Sequence, residues 1–140
     1  MIRTSLVARS PGVMYRLVDD IERYPEFVPG CTSAEVLARS ELEVVARLAV
    51  RRGPLRTQLT TRNRLDPQRS VHMQLVEGPF KVFEGSWEFS PVASNGCRVE
   101  FRLRFQFLNA FKSALFEPLF EQTQSELVRA FVARAQSLPA

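Results

Sequence analysis

The segment from 98 to 107 alternates without interruption between apolar and polar residues. Its odd positions are all apolar, and they are Val99, Phe101, Leu103, Phe105 and Phe107. Because neighbouring side chains of a strand point to opposite faces, this pattern predicts a half-buried β-strand. A long segment with helical spacing follows at about 109–138, so the two together predict a sheet that packs on a terminal helix.

Runs of alternating apolar residues, separated by turn sequences, predict successive strands from about 33 to 107. The turns are marked by Gly53-Pro54, Asp66-Pro67, Gly78-Pro79 and Asn95-Gly96. Because such short turns join antiparallel neighbours, we expect a meander of about six strands, and a weaker alternation over 2–8 adds one more. The pattern therefore predicts an α+β fold in which a curved antiparallel sheet of about seven strands wraps around a long C-terminal helix.

A first helix is predicted to begin at Ser10-Pro11, because serine caps helices and proline favours the first helical position. The apolar residues Met14, Leu17, Val18 and Ile21 follow at helical spacing. Pro25 is expected to end this helix. The apolar side chain of Phe27, in the proline-rich loop that follows, is expected to cover the inner face of the sheet.

Two residues conflict with regular secondary structure. Gly85 lies inside an otherwise aromatic strand face and predicts a bend or bulge that curls the sheet. Pro118 lies inside the predicted terminal helix, where a proline costs about 3 kcal/mol. We therefore expect a kink there, or a new helix with Pro118 in its first turn.

The composition limits the classes of function. The chain of 140 residues is expected to form one domain (1–140), and its 11 phenylalanines suit a large core or a lipophilic pocket. Cys31 and Cys97 fit neither a zinc site nor a disulfide framework, so we expect reduced thiols, no metal and a cytoplasmic protein. The N-terminus does not resemble a secretion signal, and no run of about 20 apolar residues is present, so any membrane contact is expected to be peripheral.

Candidate catalytic groups are few. The single histidine, His72, has the opposite strand parity to its apolar neighbours and is expected to face solvent. Glu84 and Glu88 share a strand face, but it is opposite to the aromatic one, so we expect them to be solvated rather than an acid/base pair. Without a nucleophile–base pair or a phosphate-binding glycine loop, the sequence assigns no catalytic residue and no obligatory cofactor.

The inward strand positions and one side of the terminal helix predict either a filled core or the lining of an apolar cavity. The candidates for the lining are Phe27, Leu48, Leu59, Thr61, Met73, Phe83, Trp87, Phe105, Leu115, Leu119 and Thr123. Asn63 shares the parity of Thr61 and adds a polar group. Mostly apolar walls with few polar anchors suit a ligand with a small polar head and an apolar tail.

Arginines occupy the opposite parity and give most of the net charge of +4. Five of them lie on two neighbouring strands and are expected to form a basic patch on the outer face of the sheet: Arg47, Arg51, Arg56, Arg62 and Arg64. Such a patch suits phospholipid headgroups or ribosomal RNA, and an ordinary solvated face is the alternative. Aromatic residues for base stacking are scarce on this face, which disfavours readout of single-stranded RNA.

Four sequence motifs, in this order, resemble those of the coenzyme-Q-binding START-like family. They are Tyr24-Pro-Glu-Phe-Val-Pro-Gly-Cys31, Thr60-Thr-Arg-Asn63, Gly78-Pro-Phe80 and Gly85-Ser-Trp-Glu-Phe89. The resemblance extends over essentially the whole chain, although Pro118 departs from the family pattern. It includes the RatA-type proteins of bacteria, within the polyketide cyclase-like superfamily, and it implies the helix-grip START-like fold.

The resemblance implies two different activities. One is non-enzymatic binding of ubiquinone or a similar polyprenyl quinone in the cavity, in support of respiration and with peripheral contact with the inner membrane. The alternative is a ribosome association toxin, which binds the large ribosomal subunit and blocks subunit association. An enzyme acting on an aromatic polyketide-like substrate is a third hypothesis, which the lack of inward His, Asp or Glu pairs disfavours. DNA is not an expected partner.

Overall fold

The computed structural model describes residues 1–139 and contains a seven-stranded antiparallel sheet in the order β1-β7-β6-β5-β4-β3-β2. The strands are β1 (Ile2–Val7), β2 (Cys31–Arg39), β3 (Glu43–Arg52), β4 (Leu55–Asp66), β5 (Ser70–Glu77), β6 (Phe80–Val92) and β7 (Gly96–Phe107). The helices are α1 (Pro11–Asp19), a 3₁₀ helix (Ile21–Glu26) and α2 (Ala110–Ser137). This architecture confirms the predicted α+β fold, a curved antiparallel sheet with a long C-terminal helix.

The strand pairing shows no bulge at Gly85. The pairing of β6 with β7 is regular at Gly85, and its irregularity falls between Phe80 and Val82. Other bulges interrupt the pairing of β2 with β3 and of β4 with β5. The position is closely packed, since a Cβ here would lie 2.8 Å from the methyl carbon of Met73 and 3.2 Å from the Arg102 carbonyl oxygen.

The first helix begins where the sequence predicts and ends earlier. The Ser10 side chain accepts a hydrogen bond from the backbone N–H of Val13, with Pro11 in the first turn. The helix stops at Asp19, and Pro25 lies inside the 3₁₀ helix rather than at the end of α1. The Val18 carbonyl lies in the last turn of α1, where carbonyl groups have no N–H partner within the helix. The Tyr24 hydroxyl donates a hydrogen bond to it, and this contact stabilises the end of α1 at Asp19.

The terminal helix is continuous through Pro118, which corrects the expected new helix at that position. Asn109 caps α2 by accepting hydrogen bonds from the backbone N–H groups of Phe111 and Lys112, and the helix then runs for 28 residues. Pro118 and Ala114, four residues earlier, are both exposed. Water can therefore satisfy the Ala114 carbonyl, which lacks an N–H partner from proline, and this lowers the cost of the interruption.

Two aromatic clusters hold α2 against the sheet. The first cluster surrounds Phe131, whose ring centroid lies 5.2 Å from that of Tyr24, 5.1 Å from that of Phe27 and 5.1 Å from that of Trp87. The second cluster surrounds Phe120, whose aromatic neighbours on β6 and β7 are Phe80, Phe83, Phe105 and Phe107. The two anchoring residues are about 16 Å apart along the helix axis, so the helix is held to the sheet at two separate points.

We predict that Phe131→Ala destabilises the protein by about 3–5 kcal/mol, because it removes a fully buried ring that joins α2, the 3₁₀ helix and the sheet. Phe111→Ala is the matched control, since this ring is 76% exposed on the same helix and its loss should change stability by less than about 0.5 kcal/mol. Urea unfolding followed by circular dichroism measures both. Equal losses for the two variants would contradict the role of Phe131.

Candidate functional site

An apolar cavity lies between the two aromatic clusters, where the middle of α2 covers the inner face of the sheet. Its volume is about 60 Å³, and the cleft as a whole, including the part open to solvent, encloses about 790 Å³. The 3₁₀ helix and the turn after it supply one wall, β3 to β7 supply the floor, and α2 supplies the roof. The cavity exists because the helix residues between Phe120 and Phe131 are smaller than the two rings that hold the helix in place.

Seven of the eleven residues proposed from the sequence lie in the cavity wall. They are Leu48, Leu59, Thr61, Met73, Phe83, Trp87 and Thr123, and Asn63 joins them. These strand residues were located by parity, which places alternate side chains on the inner face. Their role in binding a ligand stays a prediction.

Phe27 and Phe105 lie outside the cavity wall. Phe27 packs edge-on against Phe131, and the guanidinium carbon of Arg134 lies 5.0 Å from the centre of its ring. Phe105 packs against Phe120 with 4.8 Å between ring centroids. Both rings support the aromatic residues that limit the cavity, so they close its ends without facing the space inside.

The three helix candidates, Leu115, Leu119 and Thr123, are spaced four residues apart, and the first two do not reach the cavity. Leu115 is 50% exposed, and Leu119 is half-buried away from the cavity wall. Residues spaced by four positions advance about 40° around a helix of 3.6 residues per turn. A stripe drawn at that spacing therefore winds off the buried face, and only its C-terminal part meets the sheet.

Several cavity residues were missed at the sequence level. The larger group comes from the 3₁₀ helix, the turn after it, the start of β2 and the buried face of α2, and its members are Ile21, Tyr24, Val28, Pro29, Cys31, Phe120, Gln124, Leu127 and Phe131. The helix members follow the spacing i, i+4, i+7 and i+11 from Phe120, which is the signal that could have found them. The remaining members share the parity of predicted strand residues and are Ala46, Val50, Phe101 and Leu103.

Polar groups in the cavity wall are concentrated on β4 and α2. The Thr61 hydroxyl donates to the side-chain oxygen of Asn63 at 2.9 Å. On the helix, the Thr123 hydroxyl donates to the Phe120 carbonyl at 2.6 Å and accepts a hydrogen bond from the Gln124 amide at 3.3 Å. The cavity is therefore apolar with a few neutral hydrogen-bonding groups.

No charged side chain belongs to the cavity wall that residues 1–139 form. Its two titratable groups are held in their neutral forms, since burial raises the pKa of the Cys31 thiol to about 11 and raises that of the Tyr24 phenol. His72 and Glu84 are exposed on the outer face of the sheet, as expected. Within the described residues, no group of three or more His, Cys, Asp or Glu side chains is placed to hold a metal ion.

The five arginines proposed as a basic patch share the outer face but do not form one cluster. Arg51 lies opposite Arg56 at one end of the β3–β4 pair, whereas Arg64 lies about 27 Å further along β4. The charge between these ends is partly neutralised, because the Arg62 Nε atom lies 2.8 Å from Glu43 and Arg47 lies 3.8 Å from Glu35. The alternation along each strand correctly places the five arginines on one face, but the register of β3 with β4 spreads them along the length of the strands.

A curved antiparallel sheet that grips a long helix around an apolar cleft defines a START-like protein. Residues 7–132 match the family model described as polyketide cyclase/dehydrase and lipid transport, and the chain belongs to this family. This confirms the resemblance seen in the sequence. In the part of the chain that the structure describes, neither helix has a stretch long and apolar enough to cross a membrane.

Similar proteins carry different names. The ribosome association toxin RatA of Vibrio cholerae is 40% identical over 136 residues, which cover 97% of this chain and 94% of that protein. The coenzyme Q-binding protein COQ10 homolog B of Xenopus laevis is 29% identical over 126 residues, or 87% of this chain and 52% of that protein. The solved structure of the Zhui aromatase/cyclase from Streptomyces sp. R1128 has a TM-score of 0.88 at 18% identity, covers 97% of this chain and 92% of that chain, and supports the fold alone.

An ion pair at the edge of the sheet holds the cavity-covering part of α2. The Arg52 guanidinium at the end of β3 donates two hydrogen bonds to the Glu126 carboxylate, one of them at 2.9 Å. Both side chains are mostly buried, with 28% and 22% of their surfaces exposed. Hydrogen bonds from Arg52 hold the pKa of Glu126 below its usual range.

We predict that Glu126→Gln lowers stability at pH 7 by about 1 kcal/mol, because it removes this charge-assisted pair. Since the folded-state pKa of Glu126 is lowered, its contribution is present above the unfolded-state pKa of about 4.3 and is lost as the pH falls through the folded-state value. The difference between the two proteins should therefore vanish towards low pH. Glu117→Gln, on an exposed part of the same helix, is the control in urea unfolding from pH 7 to pH 3. A difference that stays constant over this range would contradict the ion-pair role.

Proposed function

We propose that the protein is a non-enzymatic lipid-binding protein that holds ubiquinone or a similar polyprenyl quinone in this cavity and supports respiratory electron transport. The observation that carries the proposal is an apolar, uncharged cavity with neutral hydrogen-bonding groups in its wall. A quinone has a neutral polar ring and an apolar tail, which suit the neutral hydrogen-bonding groups and the apolar side chains of the wall respectively. The family description, which includes lipid transport, and the name of the Xenopus relative support the same conclusion.

The size of the cavity indicates how such a ligand would enter. A buried cavity of about 150 Å³ is known to hold benzene, and the cavity here, of about 60 Å³, is smaller. Entry of the ring requires the half-buried side chains of Met73, Phe83 and Leu127 to move towards solvent. The ring then occupies the enlarged cavity and the tail follows the open part of the cleft, where each buried methylene contributes about 0.8 kcal/mol.

Binding without catalysis is favoured by the chemistry of the wall. General acid–base catalysis needs a group with a pKa near the working pH, whereas the Cys31 and Tyr24 side chains both have raised pKa values. The protein would work from the cytoplasm, with peripheral contact with the membrane that contains the quinone.

We predict that Leu48→Phe reduces the amount of bound quinone several-fold, because the larger ring fills the cavity beside a half-buried leucine. Leu42→Phe is the matched control, since Leu42 is 57% exposed just before β3. Solvent extraction of protein purified from a quinone-containing bacterium, followed by mass spectrometry, measures the load. A lack of quinone in both the unaltered protein and the Leu42→Phe control would contradict the proposal.

Association with the large ribosomal subunit is the second candidate function. It is favoured by the RatA relative, which is similar to almost the whole chain, and by the adjacent Arg51 and Arg56 on the outer face. Neither arginine forms an ion pair within residues 1–139, so both are available for phosphate groups. Folded RNA with a regular phosphate pattern is the surface that this pair suits.

If this candidate is correct, Arg51→Glu with Arg56→Glu should reduce co-sedimentation with large subunits about tenfold, and added salt should weaken the unaltered complex. The control carries the same charge change on β7, as Arg98→Glu with Arg104→Glu. Unchanged co-sedimentation of the first variant, or equal losses for both, would contradict a specific role for the Arg51–Arg56 pair.

A further inference from the structure

The Asn63 side chain has an unused hydrogen-bonding group beside the cavity. Asn63 is only 6% exposed and belongs to the cavity wall. Its oxygen accepts the hydrogen bond from Thr61, whereas its amide nitrogen has no hydrogen-bond partner in the region 1–139. The nitrogen is not one of the fully buried side-chain atoms that lack a partner, so it keeps some accessible surface. Because the Asn63 side chain lines the cavity, this free donor is a candidate for contact with a ligand.

The two neighbouring hydroxyls of the wall are engaged by the protein itself, whereas the Gln124 side-chain oxygen accepts no hydrogen bond within residues 1–139. The Thr123 hydroxyl donates to the Phe120 carbonyl and accepts from Gln124, and the Tyr24 hydroxyl donates to the Val18 carbonyl. The bond from Thr61 orients the Asn63 amide, because it engages the oxygen and leaves the nitrogen for the cavity. The wall thus offers a neutral donor on β4.

We propose that Asn63 anchors the polar head of the ligand and that this head presents an uncharged hydrogen-bond acceptor such as a carbonyl oxygen. The cavity wall has no cation to balance a carboxylate or a phosphate, and burial of an unpaired anion is strongly unfavourable. The uncharged wall therefore disfavours fatty acids and phospholipids, and Asn63 supplies the donor for the carbonyl oxygen of a neutral lipid. This inference rests on the proposed quinone-binding function and names the residue that gives it specificity.

The test compares three ligands whose alkyl tails are nine or ten carbons long: decylubiquinone, decylbenzene and decanoic acid. Isothermal titration calorimetry with the unaltered protein should give the tightest binding for decylubiquinone, with decanoate weaker by at least about tenfold. Asn63→Leu has a similar volume and removes the donor. It should weaken decylubiquinone about tenfold, because a buried carbonyl is left without a partner, and leave decylbenzene unchanged.

Thr57→Val is the matched control. Thr57 is buried on the same face of β4, its hydroxyl has no hydrogen-bond partner in the described chain, and it lies outside the cavity wall. Its substitution should leave all three affinities unchanged. Thermal unfolding checks that each variant is folded, and Asn63→Ser replaces Asn63→Leu if the latter fails to fold, because the shorter side chain also withdraws the amide from the cavity.

The outcomes separate this inference from the proposed function. If the unaltered protein binds decylubiquinone and Asn63→Leu binds it equally well, the role of Asn63 is overturned and cavity binding remains supported. If decanoate binds as tightly as decylubiquinone, selection for a neutral head is overturned. If none of the three ligands binds the unaltered protein, both the proposed function and this inference fail.

Discussion

The packing of Phe131 between the sheet and the 3₁₀ helix is the contact on which the rest of the structure depends. One buried ring contacts Tyr24, Phe27 and Trp87, which come from two distant parts of the chain. Together with Phe120, it holds a 28-residue helix at two points and leaves smaller side chains between them. The cavity follows from this arrangement, because the smaller side chains between the two rings leave space under the helix unfilled.

Charge and apolar surface are separated around this helix. Four arginines lie along the edges of α2. Arg3, Arg9 and Arg52 contact the helix or its C-terminal cap, and Arg134 belongs to it and pairs with Glu26. Arg9 donates to the carbonyls of Gln136 and Leu138, where a positive charge also favours the helix dipole. The cavity wall contains only neutral polar groups. The arginines therefore stabilise the position of α2 from its edges, and the cavity stays suited to an uncharged ligand.

Most of the proposed strand residues of the candidate site were predictable from parity. Parity placed Leu59, Thr61 and Asn63 together on one face of β4, and the structure brings all three to the cavity. The helix part was not predictable from a four-residue spacing, because that spacing drifts around the helix and selected Leu115 instead of Phe120. The prediction of a single arginine patch was wrong for a related reason. Parity shows which face of the sheet a side chain lies on, whereas the register of the strands decides which side chains are neighbours on that face.

The sequence by itself determined the order of the elements, the two faces of each strand and the family to which the chain belongs. These properties depend on local alternation, turn residues and short motifs, which act over a few neighbouring positions. Only the tertiary structure decided which turns of α2 meet the sheet, that Pro118 lies inside a continuous helix, and that Asn63 keeps a free donor beside the cavity. Such features depend on the rotation of one element against another, and contacts between residues far apart in the chain set that rotation.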